Sequence, residues 1–186
     1  MTEERQAPDP RAAGFSLLEV VISLAVVSVG LLGFSKAILD SMVLNQMNKE
    51  GGIARRAAKQ VLGDIEATAF AEVFARYNAV QVDDLPGDNL PGAFAVEGLR
   101  PLDDDADGLV GEILFPDDVA WDGSLVLRED LVDARLGMPL DLDLDGTIDA
   151  DDHADDYQLL PVLVRVEWRG RGGPAKVEFQ TVLIEP

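Results

Sequence analysis

The sequence contains no cysteine and only one histidine, His153. The lack of cysteine excludes disulfides, thiolate metal ligands and cysteine nucleophiles. A single histidine excludes zinc sites built from several histidines and argues against a Ser-His-Asp triad. A glycine-rich phosphate-binding loop and a dinucleotide fingerprint are also missing. The commonest enzyme sites are therefore absent, and we expect a protein that is not an enzyme.

Basic residues are scarce as well. The chain has 15 Lys and Arg against 35 Asp and Glu, which gives a formal net charge of −20. A protein that binds nucleic acid needs basic side chains to neutralise phosphates, so no nucleic-acid partner is expected. The balance fits an acidic surface, or carboxylates gathered around cations.

The N-terminal third divides into a polar leader and an apolar block. Residues 1–14 are polar and rich in proline, whereas residues 15–34 are apolar except for Glu19. A helix of about 20 residues spans roughly 30 Å, the thickness of a bilayer core. A cleaved secretory signal has its small-residue cut site after the apolar core. Here Gly14 precedes the block, so the block predicts a transmembrane helix that stays on the mature protein.

Residues 35–77 continue with a helical period. Apolar side chains recur at steps of three and four, which predicts a helix with one buried stripe. The stripe comprises Ala57, Ala58, Val61, Leu62, Ile65, Ala69, Phe70, Val73, Phe74 and Tyr77. The simplest interpretation is one long helix from about residue 15 to residue 77.

Residues 78–186 are predicted to form a globular head. Two alternating runs around a glycine-rich turn predict an antiparallel β-hairpin over residues 159–185. Residues 113–115 and 124–128 are candidates for short strands, and residues 128–136 for a short helix that ends at Gly137. The whole pattern predicts an α+β fold.

The segment around the glycine resembles a known signal. Gly14-Phe15-Ser16-Leu17-Leu18-Glu19, followed directly by an apolar helix, is similar to the type III signal of type IV prepilins and pseudopilins. The resemblance implies that a prepilin peptidase cuts between Gly14 and Phe15, and that Phe15 becomes the methylated N-terminus. It also implies a pilin-like fold, with one long N-terminal helix packed on a small antiparallel β-sheet head.

The resemblance gives Glu19 a role. An ionised carboxylate in hydrocarbon costs on the order of 2.5–3.5 kcal/mol by insertion scales, so it needs a partner. In the family, a glutamate at this place is thought to pair with the N-terminal amine of a neighbouring subunit during assembly. The implied partners are other pilin or pseudopilin subunits, the peptidase and the inner-membrane assembly machinery. The implied location is the bacterial inner membrane with a periplasmic head, and then a cell-surface or periplasmic filament.

The sequence leaves open which of two filament systems the resemblance points to. The apolar segment has no proline and the head has no disulfide loop, unlike many major pilins. The run VGLLGF over 29–34 and the strand VRVEW over 164–168 look more like V-type minor pilins (pilus modification proteins). The I-type pseudopilins of type II secretion are the alternative.

An acidic loop in the head has the spacing of an EF-hand-type calcium loop. In DLDLDGTIDADD, over residues 141–152, carboxylates at positions one, three and five converge on one ion as the chain curls around Gly146. Position seven offers a backbone carbonyl, and Ile148 is expected to pin the loop to the core. The predicted metal ligands are Asp141, Asp143, Asp145, Thr147, Asp149 and Asp152.

The loop departs from sensor EF-hands in one position. Asp152 stands where those loops have a bidentate Glu, which resembles dockerin-type repeats, and the chain after it does not look helical. A weaker second copy has Asp103, Asp105 and Asp107 at positions one, three and five. Two other functions stay open: a membrane-anchored calcium-dependent binding module, and an enzyme that uses paired acids such as Asp117 and Asp118.

Overall fold

A computed structural model describes residues 16–78, 92–105 and 107–185. The chain divides into two compact units, Met1–Leu44 and Asn45–Pro186. The first unit contains the predicted apolar block, and the second contains the predicted head. The predicted leader, including Gly14 and Phe15, lies outside the described residues.

Helix α1 runs from Leu17 to Glu66. Its first half fits a membrane by length and composition, with a mean hydropathy of 2.4 in the most apolar window. Every residue of that window is exposed within the chain. The hydroxyls of Ser28 and Ser35 donate to the carbonyls of Leu24 and Leu31, so these polar groups are satisfied inside the helix.

The second half of α1 provides one wall of the head core. Ala54, Ala58 and Ile65 are fully buried in one cluster with the strands of the head. These positions recur at the helical period, so one side of the helix faces the sheet. The predicted pilin-like α+β fold, a long N-terminal helix packed on an antiparallel sheet, is confirmed.

The long helix ends earlier than predicted. It stops at Glu66 rather than near residue 77, and a 3-10 turn (Phe70–Glu72) and a short helix α2 (Val73–Tyr77) follow. Ala69 adopts an extended conformation that ends the helical path. The redirected chain buries Val73, Phe74 and Tyr77 in the core. The apolar residues keep a helical spacing across this region, so the sequence does not reveal the break that tertiary packing imposes.

The head sheet has four antiparallel strands in the order β1-β2-β5-β6. These are β1 (Ala93–Phe94), β2 (Gly111–Leu114), β5 (Leu159–Gly170) and β6 (Gly173–Ile184). A separate hairpin pairs β3 (Asp117–Val119) with β4 (Leu125–Leu127). The predicted C-terminal hairpin is thus confirmed, with register from Leu159 opposite Ile184 to Gly170 opposite Gly173. The two short predicted strands correspond to β2 and β4.

Alternation along β5 builds the core. Val162, Val164 and Val166 are completely buried, and Trp168 is 4% exposed. Since side chains alternate across a strand, these four lie on one face of the sheet. β6 is the last strand in the sheet order, and its residues are exposed or partly buried.

The predicted helix over residues 128–136 is wrong. This segment has bends and turns instead, and residues 134–137 form the turn. The carboxylate of Asp133 accepts a hydrogen bond from the Arg135 amide, and its carbonyl accepts from the Leu136 and Met138 amides. Local capping by an aspartate thus competes with the helix. Gly137 takes a positive φ of 76°, as expected for a turn end.

Candidate functional sites

Glu19 lies in the first turn of α1, among exposed apolar side chains. The hydroxyl of Ser16 accepts a hydrogen bond from the Leu18 amide and caps this helix end. A carboxylate is favourable near a helix N-terminus because of the helix dipole. In the described part of the chain, however, Glu19 has no ion-pair partner.

In the acidic loop over residues 141–152, aspartate side chains accept hydrogen bonds from the loop's own backbone amides. Asp141 Oδ2 accepts from the Gly146 amide at 2.9 Å, and Asp145 Oδ1 accepts from the Thr147 amide at 2.7 Å. Asp143 Oδ1 accepts from the Asp145 amide at 3.0 Å. Gly146 has a φ of 89°, a conformation that favours glycine. The sequence expectation of a tight turn at this glycine is confirmed.

Glu129, just after β4, is the site residue that the sequence analysis missed. It is 1% exposed and lies under the acidic loop. Its carboxylate accepts hydrogen bonds from the amides of Leu142, Asp143 and Asp149, the last two at 3.3 Å. Apart from being acidic, nothing in the local sequence marks it, because only the fold brings residue 129 beneath the loop.

His153 lies among four carboxylates. Its Nε2 is 3.3 Å from Asp149 Oδ1 and 3.8 Å from Glu129 Oε2, and its Nδ1 is 3.2 Å from Asp156 Oδ1 and 3.8 Å from Asp143 Oδ2. Burial, the largest single influence, lowers the pKa of His153, but the hydrogen bonds to Asp149 and Asp156 and the charges of Glu129 and Asp156 together more than offset it. The net result is a pKa raised above the ordinary value.

The loop brings only part of the predicted ligand set together. One carboxylate oxygen each from Glu129, Asp141 and Asp143 lie within 4.8 Å of one another. Asp141 Oδ1 is buried and has no hydrogen-bond partner among the described residues. An all-oxygen set with an orphaned carboxylate oxygen fits a hard cation such as calcium. These three residues are the core of a candidate cation site.

The other predicted ligands lie elsewhere. Asp149 groups with Glu129 and His153, whereas the Asp145 and Asp152 carboxylates lie in no group of three side chains that could hold a metal ion within the described segments. Asp152 is exposed, and its Oδ1 accepts from the amides of Leu127 and Ala154. Ile148, expected to anchor the loop, is 48% exposed. The anchor is Glu129 instead, through its bonds to the loop backbone.

The weaker acidic repeat is arranged differently. Asp103 forms an ion pair with Arg169 at 3.2 Å, and Asp107 Oδ1 accepts from the Leu109 amide. A hydrogen bond with Asp107 raises the pKa of Asp105. Within the described ranges, none of these three carboxylates lies in a group of side chains close enough together to hold a metal ion. Their geometry is that of an exposed acidic loop.

Replacing Asp117 by asparagine is expected to raise the free energy of unfolding at pH 7. Burial, and then the charge of Asp118, raise the pKa of Asp117 above 3.8. Such a carboxyl destabilises the folded state once it ionises, so the gain is full above the raised pKa and vanishes below about 3.8. Urea unfolding of the full chain in detergent, at pH 7 and about pH 3.5, measures this. Asp122→Asn is the control and should give no gain, because Asp122 is exposed and its carboxylate accepts hydrogen bonds from Ser124.

An apolar helix that is exposed along its membrane-length half, with an acid in its first turn, fits a membrane-anchored subunit. Residues 9–35 match the family described as the prokaryotic N-terminal methylation motif. This match confirms the predicted resemblance to type IV prepilins and pseudopilins over the N-terminal segment. Proteins of that type are structural subunits and are not known as enzymes. No curated protein and no solved structure matches the chain.

Proposed function

We propose that this protein is a minor pilin or pseudopilin, a structural subunit that enters a type IV pilus or a related filament through α1. The observation that carries the proposal is the methylation motif over residues 9–35, continued by an apolar helix that is exposed along its membrane-length half. An apolar surface of this size needs cover, from lipid before assembly and from neighbouring helices afterwards.

The proposed processing site is the bond between Gly14 and Phe15, and Phe15 then carries the methyl group. Cleavage creates a positive amine at Phe15, only a few residues before Glu19 in the sequence. Glu19 lacks an ion-pair partner among the described residues, so we propose that it pairs with this amine on a neighbouring subunit. Such a pair acts as a register device, because an unmatched charge in an apolar setting is strongly unfavourable.

The proposed machine is a type IV pilus with a V-type minor subunit, and the I-type pseudopilin of type II secretion is the alternative. Both assign the same topology: a single span in the inner membrane and a periplasmic head. The acidic head faces outward in either filament. Deleting the pilus retraction and assembly genes separately from those of the secretion machine, and following the subunit in sheared surface fractions, distinguishes the two.

The test of the proposed function is mass spectrometry of the protein from native membranes and from sheared surface fractions. We expect a mature N-terminus at Phe15 with one added methyl group. An intact leader, or a cut beyond residue 34, would instead make α1 an ordinary anchor or a removed signal. Either result would leave the head without a filament role.

We also propose that the acidic loop over residues 141–152 binds one calcium ion. Asp141, Asp143 and the buried Glu129 would hold it. The further ligands that the spacing indicates are Asp145, Asp149, Asp152 and the Thr147 carbonyl, and the loop would have to rearrange to bring them to the ion. The proposal is supported by the orphaned Asp141 oxygen and by the all-oxygen donor set. Calcium would offset the mutual repulsion of these carboxylates and would stiffen the loop; it supplies no catalysis.

Replacing both Asp141 and Asp145 by alanine is expected to remove the stabilisation that calcium gives. A ligand at 100 times its Kd stabilises the folded state by about 2.7 kcal/mol, and the double variant should lose this gain. Thermal unfolding of the full chain in detergent, with calcium and with chelator, measures the difference. The matched control is Asp151→Ala with Asp155→Ala, two exposed acids outside the predicted ligand positions. An equal loss in chelator would show that the loop holds no ion.

A further inference from the structure

A cavity of about 430 Å³ lies in the head, away from the acidic loop. It is formed by the first turns of α1 within the head, the segment 98–100 and the end of β5 with the following turn. Its lining comprises Gln46, Glu50, Gly98, Leu99, Arg100, Trp168, Arg169, Gly170 and Arg171. All of these residues lie in the Asn45–Pro186 unit. We name it the arginine pocket, because three of its lining residues are arginines.

The indole of Trp168, which lines the arginine pocket, has a buried donor that no acceptor uses in the described part of the chain. Trp168 is 4% exposed, yet its Nε1 has no hydrogen-bond acceptor among the described residues. A buried donor without an acceptor is unfavourable and is rare in folded proteins. A Cβ added at Gly170 would lie 3.3 Å from this Nε1 and 2.9 Å from Glu50 Oε2. Glycine at this position therefore avoids a collision with the Glu50 carboxylate beside the indole.

Two arginines at the pocket are also without partners. Arg100 and Arg171 are exposed and form no ion pair with any residue in the described ranges. The other arginines around the sheet behave differently: Arg128, Arg135 and Arg165 each pair with an acid. The chain has 35 acidic residues and 15 basic ones, so acceptors for an arginine are plentiful. Two unpaired guanidinium groups close to an unpaired indole N–H therefore give this region more hydrogen-bond donors than acceptors.

The charges around the pocket indicate which acceptor fits. Glu50 is 8% exposed, and its Oε1 accepts a hydrogen bond from the side-chain amide nitrogen (Nε2) of Gln46 at 2.9 Å. Arg169 is engaged with Asp103. The lining therefore carries two positive charges, on Arg100 and Arg171, that no acid pairs within the described residues. It also carries the negative charge of the Glu50 carboxylate. A singly charged, planar acceptor suits this balance, because guanidinium forks match a carboxylate in geometry and Glu50 would repel a doubly charged phosphate more strongly.

We infer that the arginine pocket receives the carboxylate of an acidic side chain on a neighbouring filament subunit. The inference rests on the proposed filament function. The incoming carboxylate accepts hydrogen bonds from the guanidinium of Arg100 or Arg171, and it reaches the buried Trp168 Nε1 when the neighbouring side chains shift. Charge complementarity supports a protein partner, since the strongly acidic surface of this chain is itself of the kind that the pocket recognises.

Zero-length crosslinking in assembled filaments tests the contact. Arg100→Lys and Arg171→Lys keep the charge and introduce an amine, which a carbodiimide joins to a touching carboxylate with loss of water. We expect an amide between position 100 or 171 and an Asp or Glu of another subunit, identified by mass spectrometry. Links only to Glu50 or Asp103 of the same chain would overturn the inference. Arg135→Lys is the matched control and should link only to Asp133 of its own chain.

A second experiment removes the charges of the pocket and measures incorporation into filaments. Arg100→Gln with Arg171→Gln is expected to lower recovery of the subunit in sheared filaments at least fivefold, while its amount in the membrane is unchanged. Arg135→Gln, outside the pocket, should be recovered like the unaltered chain. Equal recovery of the double variant would overturn the inference alone. Absence of the unaltered chain from filaments would instead overturn the proposed function.

Phospholipid is the competing occupant, and the two tryptophans of the chain make it testable. In the full chain with Trp121→Phe, emission from Trp168 reports on the pocket. Reconstitution into phosphatidylcholine vesicles with and without phosphatidylglycerol should leave this emission unchanged. An emission change with phosphatidylglycerol that Arg100→Gln with Arg171→Gln abolishes would assign the pocket to a lipid phosphate and overturn the inference.

Discussion

Glu19→Val is expected to leave the protein in the membrane but to lower its incorporation into filaments on the order of tenfold, the effect of losing about 1.4 kcal/mol of subunit pairing. The apolar half of α1 holds the chain in the bilayer without Glu19, and valine even removes a charge from hydrocarbon. What the variant loses is the proposed pair with the Phe15 amine of a neighbour. Quantitative immunoblots of membrane and sheared fractions measure both quantities.

The matched control for Glu19 is Ser28→Val. This substitution also replaces a polar side chain of α1 by valine, but the Ser28 hydroxyl is already bonded to Leu24 within the helix. We therefore expect unchanged incorporation. Full incorporation of Glu19→Val would contradict the pairing role, and loss of that variant from the membrane would mean that Glu19 acts before assembly.

Glu129→Ala is expected to destabilise the head by about 3 kcal/mol, the range for breaking a buried charged hydrogen-bond network. The buried carboxylate accepts from three amides of the acidic loop, and alanine leaves all three donors unmatched. Chemical denaturation of the full chain in detergent, followed by near-ultraviolet circular dichroism, measures the loss. Glu97→Ala is the control, since Glu97 is exposed.

The effect of Glu129→Ala should persist in chelator. Its anchoring bonds to the loop backbone exist without metal. The Asp141 and Asp145 substitutions also remove loop bonds, but their loss should grow when calcium is added. A loss that disappears in chelator would mean that Glu129 acts only as a metal ligand. A loss no larger than that of Glu97→Ala would show that the loop does not depend on this anchor.

The features that the sequence predicted are those encoded by contiguous residues. The methylation motif, the long apolar helix and the hairpin β5–β6 each arise from neighbouring positions with a fixed period. The turn at Gly146 was predictable for the same reason, because its partner Asp141 lies within the same loop.

The features that the sequence did not predict depend on tertiary contacts. The helical period continued to Tyr77, but packing ended α1 at Glu66. Residues 128–136 have helical composition, but Asp133 caps a turn there and Glu129 is held under the acidic loop. The arginine pocket joins Glu50 and Trp168, which are distant in the chain. No local pattern encodes such pairs.

The position of β6 at the sheet edge bears on how the head avoids unwanted association. A twelve-residue edge strand is a template onto which a strand from another molecule can add, and such growth leads to aggregates. β6 carries Pro174, which has no amide to donate, and the exposed charge of Lys176 near the same end. The missing amide and the exposed charge therefore make strand addition between two heads through this edge unfavourable.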